Sequence, residues 1–227
     1  LGINLEDVES KSSKVKGFIV REKCDYPSNW RCEMDLEGYF KQNKIIGLEG
    51  IDTRALTKIL RKNGTMKGII TTSNLTKAEI ERKIKNFSNS DAVMNVTTKK
   101  TYTIEGSGQH VAIVDFGIKE NILRSFKKRN CKLTIFSADT KAQEILKVNP
   151  DLVFLSNGPG DPEELQGAIN MIKEIIGKKP IVGICLGHQL LALALGGKTG
   201  KLKFGHRGCN HPVKEIEEDR KSTRLNS

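Results

Sequence analysis

The sequence lacks closely paired cysteines and long apolar runs, and both absences exclude classes of protein. Its five cysteines form an odd set without a C-x-x-C pair, which argues against a disulfide framework and for a reducing compartment. No apolar run approaches the roughly 18 residues of a membrane span, and no secretory signal peptide opens the chain. The 227 residues allow one or two domains, each able to bury a core. We therefore expect a cytoplasmic protein that does not contact a membrane.

Concentrated positive charge is also missing, although the net charge is +11. Residues 1–108 carry 19 Lys/Arg against 14 Asp/Glu, residues 109–218 carry 16 against 12, and the last nine carry 3 against 1. The excess is thus divided among the segments, and none of them forms a basic stripe with interleaved aromatic residues. This distribution is typical of a solvated basic surface rather than of a nucleic-acid footprint. An acidic protein partner is the alternative explanation of the charge.

The apolar patterns divide the chain into two parts joined by a polar segment. From Gly17 to Phe87 short apolar runs alternate with helical patterns, which predicts a small mixed α/β domain. One of its helices is expected to begin after Asp52-Thr53 and to end at Asn63-Gly64, because these are good capping residues. Residues 97–109 are polar, contain glycine and show no apolar period, so we interpret them as a linker.

Beyond this linker, strands and helices alternate. Apolar runs predict strands at 111–114, 132–136, 151–155 and 181–184. Helical patterns separate them near 118–129, 140–147 and 163–176. This alternation predicts an α/β fold in which a parallel sheet lies between layers of helices, with right-handed crossovers.

Cys185 stands where a predicted strand runs into a predicted helix, between Gly183 and Gly187. In such an elbow the backbone of the nucleophile is strained, and the flanking glycines let neighbouring chain pass without a Cβ clash. The helix N-terminus adds positive potential that favours a thiolate. The pattern therefore predicts a nucleophilic cysteine. The alternative is a cysteine that fills the core as a small apolar residue.

A loop from Ser156 to Pro162 follows the strand predicted at 151–155 and contains two glycines and two prolines. The carboxyl end of a parallel strand is where open α/β sheets bind ligands, and backbone N–H groups there can stabilise an oxyanion. By itself the loop is only a turn signal. Upstream of the cysteine elbow it favours a binding site.

These two motifs resemble those of a known family. Residues 157–162, Asn-Gly-Pro-Gly-Asp-Pro, followed by 183–189, Gly-Ile-Cys-Leu-Gly-His-Gln, look like the class I (triad) glutamine amidotransferases. Three further segments are similar to the small, glutamine-hydrolysing subunits of carbamoyl-phosphate synthetases, namely 50–57, 114–124 and 203–213. The resemblance covers about residues 1 to 218.

The resemblance implies a division of the chain into domains. Residues 1–96 would be the carboxyl part of the family's N-terminal domain, which docks on the synthetase subunit, and 97–109 the linker. Residues 110–218 would be the amidotransferase domain, truncated and therefore an incomplete three-layer sheet. Residues 219–227 are expected to be a non-native or disordered tail, because they offer almost nothing to bury.

The resemblance also implies a chemistry. A Cys-His-Glu triad takes ammonia from L-glutamine, with Cys185 as the nucleophile. Gly158, Gly160, Leu186 and Gln189 would hold the glutamine. In the family, the histidine and glutamate partners of the cysteine lie beyond the position of residue 213, and we expect them to be absent from this chain. We therefore expect this chain not to hydrolyse glutamine catalytically.

No cofactor is expected in this chain. By resemblance, ammonia would pass to a large synthetase subunit that uses ATP, magnesium and bicarbonate to make carbamoyl phosphate for arginine and pyrimidine biosynthesis. Two alternatives remain. One is a fragment or paralogue without catalysis that only binds a synthetase partner, and the other is an amidotransferase that serves a different synthase.

Two other motifs carry less weight. His206, Cys209 and His211 could supply three zinc ligands, but no fourth ligand has suitable spacing, so a glycine-rich structural loop is favoured and no metal is expected. The run Gly196-Gly-Lys-Thr199 lacks the first glycine of a phosphate loop, since Ala192 stands there.

Overall fold

The computed structural model describes residues 2–10 and 12–205 of the protein, and the strands at 212–215 and 220–223. By its contacts the chain divides into two compact units. The first comprises Leu1–Ile51 with Ile69–Thr199, and the second comprises Asp52–Gly68 with Gly200–Ser227. The domain boundaries that the sequence suggests stay predictions.

The early part of the first unit contains two short strands joined by an α-helix. Strands β1 (Gly17–Ile19) and β2 (Ile46–Leu48) pair in parallel. Helix α1 (Leu36–Asn43) connects them and begins where the Asp35 side chain accepts the backbone N–H of Gly38. This arrangement confirms the mixed α/β character expected from the sequence.

The second unit begins with helix α2, Thr53–Asn63. The Asp52 carboxylate accepts the backbone N–H groups of Arg54 and Ala55, and Gly64 ends the helix with φ +86. Both ends therefore agree with the capping residues that the sequence indicated.

Later in the first unit, helix α3 (Lys77–Asn86) begins with a capping box formed by Thr76 and Glu79.

One expectation is wrong in the tail. Within the segment predicted to be disordered, Arg220–Thr223 forms a strand that pairs antiparallel with Pro212–Glu215. Pairing of backbone N–H and C=O groups in a hairpin does not require the apolar side chains on which that expectation was based.

A five-stranded sheet forms the centre of the first unit, in the order β3-β5-β4-β6-β7. Its strands are β3 (Tyr102–Ile104), β4 (His110–Asp115), β5 (Lys132–Ser137), β6 (Leu152–Leu155) and β7 (Ile181–Gly183). The last four pair in parallel, as predicted, whereas β3 pairs antiparallel with β5. The segment interpreted as a linker thus contributes an edge strand, because Tyr102 and Ile104 pack against one face of the sheet.

Helices cover the sheet on both faces. They are α4 (Glu120–Lys128), α5 (Ala142–Lys147), α6 (Gln166–Ile175) and α7 (Leu186–Ala194). Successive residues of β4 pack against opposite faces of the sheet. Ile113 packs with Leu123 of α4, whereas Val114 packs with apolar residues of α5, α6 and α7. The result is the three-layer α/β architecture predicted from the sequence.

Helix α4 receives its N-terminal cap from a distant segment. Its own capping residue, Lys119, makes no side-chain cap hydrogen bond. Instead, the Glu9 carboxylate accepts the backbone N–H of Asn121 at 3.0 Å, and the Glu9 carbonyl accepts that of Glu120 at 3.1 Å. This contact ties the start of the chain to the sheet domain within the first unit.

Candidate active site

Cys185 occupies the turn between β7 and α7 and has a strained backbone. Its φ of 51° and ψ of −108° lie in a region that residues with a Cβ rarely adopt. The side chain is exposed and the thiol is free. The alternative of a core-filling cysteine is therefore wrong, and the strand-turn-helix elbow is confirmed as a structure.

Both flanking glycines are required by close backbone approaches. A Cβ on Gly183 would lie 2.6 Å from the Gly187 carbonyl carbon and from the His188 nitrogen. A Cβ on Gly187 would lie 2.3 Å from the Leu155 carbonyl oxygen. The elbow therefore lies directly on the end of β6, and the glycine spacing had predicted a close approach of neighbouring backbone without identifying that neighbour.

Two hydrogen bonds fix this contact. The Ile184 N–H donates to the Leu155 carbonyl at 3.1 Å, and the Gly187 N–H donates to the Ser156 carbonyl at 3.1 Å. Ser156 is fully buried and opens the second predicted motif. The elbow and the loop that follows β6 are consequently neighbours at the carboxyl end of the sheet, where open α/β folds bind ligands.

The loop also contacts the first residue of α7. A Cβ on Gly158 would lie 2.7 Å from Cδ2 of Leu186, whose side chain is buried. Within the part of the chain that the structure describes, the backbone N–H groups of Gly158, Gly160 and Leu186 donate to no acceptor. Leu186 directly follows the exposed Cys185 and Gly158 contacts Leu186, so these unpaired N–H groups are suitable candidate donors for an oxyanion.

Gln189 lies one helical turn after the nucleophile. Its backbone N–H donates to the Cys185 carbonyl at 3.0 Å, and its side chain is half-buried. A fully solvated helix residue, the alternative interpretation, would be more exposed. Its predicted contact with glutamine stays a prediction.

The structure places no histidine that it describes in the role of a base. His110 is the first residue of β4, at the amino end of a strand parallel to those beside it, whereas Cys185 follows the carboxyl end of β7. His188 is exposed on α7. The predicted loop residues His206, Cys209 and His211 lie outside the described residues, and the described part of the chain contains no metal-ligating cluster.

Burial lowers the pKa of His110 from its ordinary value of 6.5, and the nearby Lys132 acts in the same direction. This perturbed group is at the opposite end of the sheet from the candidate site. A cavity of about 420 Å³ also lies elsewhere, between α1 and the β1-β2 pair, lined among others by Phe18, Phe40 and Ile45. Neither feature includes a residue predicted to bind glutamine.

Sequence reasoning missed one part of the site. The turn after β4 lies against the loop after β6, and a buried carboxylate, Asp115, begins that turn. The signal was present, because aspartate two residues before glycine at the end of a strand is typical of a side-chain-capped turn. Its contact with the loop could not be read from local sequence.

Comparison with known proteins identifies the fold's family. Residues 112–226, half of the chain, match the family model described as Glutamine amidotransferase class-I. The chain belongs to this amidotransferase family. Residues 1–70 match a second family model, described as Carbamoyl-phosphate synthase small chain, CPSase domain.

Individual relatives of this amidotransferase agree with the family matches. The carbamoyl phosphate synthase small chain of Clostridium perfringens is 66% identical over 219 residues, which are 96% of this chain and 63% of that protein. The small chain of Listeria innocua is 50% identical over 95% of this chain and 60% of its own length. The amidotransferase chain thus spans about three fifths of the length of these curated relatives.

A solved structure is also similar. It is that of a putative GMP synthase subunit from Thermoplasma acidophilum, with 25% identity, a TM-score of 0.37, and coverage of 47% of this chain and 51% of that chain.

Among the described residues of the amidotransferase, no helix combines the length and apolar character that crossing a bilayer requires.

Proposed function

We propose that this chain carries the nucleophile and part of the glutamine site of a glutamine-hydrolysing carbamoyl-phosphate synthase small chain. The observation that carries the proposal is the strained, exposed Cys185 beside unpaired N–H groups at the carboxyl end of the sheet. The similarity to curated small chains over 96% of this chain supports the choice of synthase.

In the proposed reaction, the Cys185 thiolate attacks the side-chain amide carbon of L-glutamine. The carbonyl oxygen takes up the negative charge and accepts hydrogen bonds from N–H groups of Leu186 and of the loop at 158–160. The C–N bond then breaks, ammonia leaves with a proton from a general acid, and a γ-glutamyl thioester remains. Water hydrolyses the thioester to glutamate and regenerates the thiol.

Gly158, Gly160, Leu186 and Gln189 are proposed to bind the substrate. Ammonia is proposed to pass in the cytoplasm to a large synthetase subunit, which uses ATP, magnesium and bicarbonate to make carbamoyl phosphate for arginine and pyrimidine biosynthesis. No cofactor is assigned to this chain. A partner-binding protein without catalysis, the alternative function, would not need an exposed cysteine in a strained elbow.

The test replaces Cys185 by serine in the full-length small chain assembled with its large subunit. We expect glutamine-dependent synthesis to be lost, because a serine hydroxyl lacks the nucleophilicity of a thiolate. Synthesis from free ammonia should be retained, since its chemistry is proposed to lie on the partner. An unchanged rate of glutamate release from glutamine would contradict the assignment of Cys185.

A further inference from the structure

We infer that Asp115 and Asn157 are positioning residues for the oxyanion loop, defined here as residues 156–161. The inference rests on the proposed function and extends it to residues that do not touch the substrate. Both side chains act on the turn at 115–119, which follows β4 and lies against this loop.

Asp115 holds two segments of the chain with one buried carboxylate. The residue is 6% exposed. Its Oδ1 accepts the backbone N–H groups of Gly117 and Ile118, both at 2.8 Å, and its Oδ2 accepts that of Thr98 at 2.8 Å. The Asp115 carbonyl accepts the Thr97 hydroxyl at 2.6 Å. The carboxylate therefore fixes the turn and also ties it to the segment at 92–98.

Asn157 connects that turn to the oxyanion loop. Its Nδ2 donates to the Gly117 carbonyl at 2.9 Å, and its Oδ1 accepts the Lys119 N–H at 3.4 Å. Next to it, the Ser156 hydroxyl accepts the Phe116 N–H at 2.9 Å. Side chains of the loop thus bond to three positions of the turn, at its start, middle and end.

Packing leaves the loop little freedom in this contact. A Cβ on Gly158 would lie 2.3 Å from the Phe116 carbonyl oxygen, so the loop backbone rests directly on the turn. Gly117, with φ +121, has room for no Cβ either, because Val96 Cγ2 and Pro159 Cδ would lie 2.8 and 3.2 Å away. The turn is consequently held between the segment at 92–98 and the oxyanion loop.

The consequence concerns the N–H groups offered to the oxyanion. Such donors lower a barrier only if they already point at the developing charge, and a displacement of about 1 Å can cost about 100-fold in rate. Asp115 fixes the turn, and Asn157 transmits that position to Gly158. Removing either side chain should misplace the donors without altering the thiol.

The experiment uses the full-length small chain assembled with its large subunit, and it compares two reagents that alkylate Cys185. A chloroketone analogue of glutamine alkylates by way of an addition in which the ketone oxygen becomes an oxyanion. The sulfur then displaces chloride from the neighbouring carbon, its bond to the carbonyl carbon breaks, and the C=O bond re-forms. Iodoacetamide alkylates by direct displacement of iodide and forms no oxyanion. Its rate therefore reports thiol reactivity without the oxyanion loop.

We expect Asn157→Ala and Asp115→Asn to lower the limiting inactivation rate with the chloroketone by about 10- to 100-fold. The chloroketone concentration that gives half of the limiting rate should change by less than about threefold. The rate of Cys185 alkylation by iodoacetamide should likewise change by less than about threefold. The matched controls are Asn121→Ala on α4 and Asp151→Asn, whose carboxylate accepts the His110 N–H at the other end of the sheet. Both should react like the wild type.

The outcomes separate the two proposals. A wild type that reacts no faster with the chloroketone than with iodoacetamide, and that glutamine does not protect, overturns the proposed function and the inference with it. A selective, glutamine-protected wild type with unchanged variants overturns the positioning role alone. Equal losses with both reagents also overturn it, because they indicate general damage. If Asp115→Asn does not fold, Asn157→Ala decides, since its side chain is only half-buried.

Discussion

Replacing Cys185 by glycine should stabilise the protein while removing its proposed nucleophile. At φ 51° and ψ −108° a residue with a Cβ is strained, and such strain costs on the order of 1–3 kcal/mol. Glycine removes that strain but adds chain entropy to the unfolded state, at about 0.5–1 kcal/mol. Because the cysteine side chain is exposed, little burial is lost. The net expectation is a gain of roughly 0.5–2 kcal/mol.

The assay is thermal unfolding followed by circular dichroism, with Cys185→Ala as the matched control. Alanine removes the sulfur but keeps the Cβ, so it retains the strain. A gain of 1 kcal/mol corresponds to about 2–4 °C in a chain of this size, and glycine should therefore melt above alanine by a few degrees. A glycine variant no more stable than the alanine variant would show that the elbow stores no strain.

Three further predictions concern the surroundings of the site and the fold. Gly187→Ala should destabilise the protein by about 1–3 kcal/mol in urea unfolding, because its Cβ would meet the Leu155 carbonyl at 2.3 Å. Gly167→Ala on α6, where a Cβ meets nothing within 4 Å, should not destabilise, and equal effects would contradict the argument. Glu9→Ala should lower the free energy of unfolding by about 1 kcal/mol, since the carboxylate caps α4. Glu22→Ala, which removes an exposed carboxylate outside α4, serves as a control. Because burial lowers the pKa of His110, the unfolded state binds more protons just below pH 6.5, so stability should fall as the pH drops through that range. A His110→Gln variant with the same pH dependence as the wild type would refute this origin.

Much of the sheet could be predicted from sequence because its strands are local apolar runs between recognisable turns. The elbow was also predictable, since Gly183 and Gly187 flank Cys185 at the spacing that close backbone approach demands. In each case the physical cause lies within a few residues of the feature. The family match over 112–226 agrees with this interpretation.

The features that sequence reasoning missed depend on distant partners. Strand β3 is only three residues long, and it forms because β5 offers it an edge. The Asp115 carboxylate accepts an N–H from Thr98, and Glu9 caps a helix that begins at Glu120. Neither pairing leaves a periodic pattern or a spacing in the sequence. Hydrogen-bond partners of this kind emerge only once the sheet has brought the segments together.

The two motifs of the site were therefore predictable from sequence, but the contacts that hold them together were not. Sequence motifs indicated the elbow and the loop after β6 separately. Their contact, in which Gly158 packs on Leu186 and Gly187 packs on Leu155, required the strand order in which β6 and β7 are neighbours. Predicting that the turn at 115–119 contacts this loop required knowing, in addition, that β4 is the other neighbour of β6.

The most direct test of the account is to identify which cysteine a glutamine-like chloroketone labels. Cys24 is exposed and free like Cys185, so it serves as an internal control for thiol accessibility. Peptide mass spectrometry after limited reaction should place the label on Cys185, and added L-glutamine should slow that labelling while leaving Cys24 unaffected. Labelling of Cys24 and Cys185 at equal rates, with no protection by glutamine, would contradict the claim that Cys185 is the nucleophile of a glutamine site.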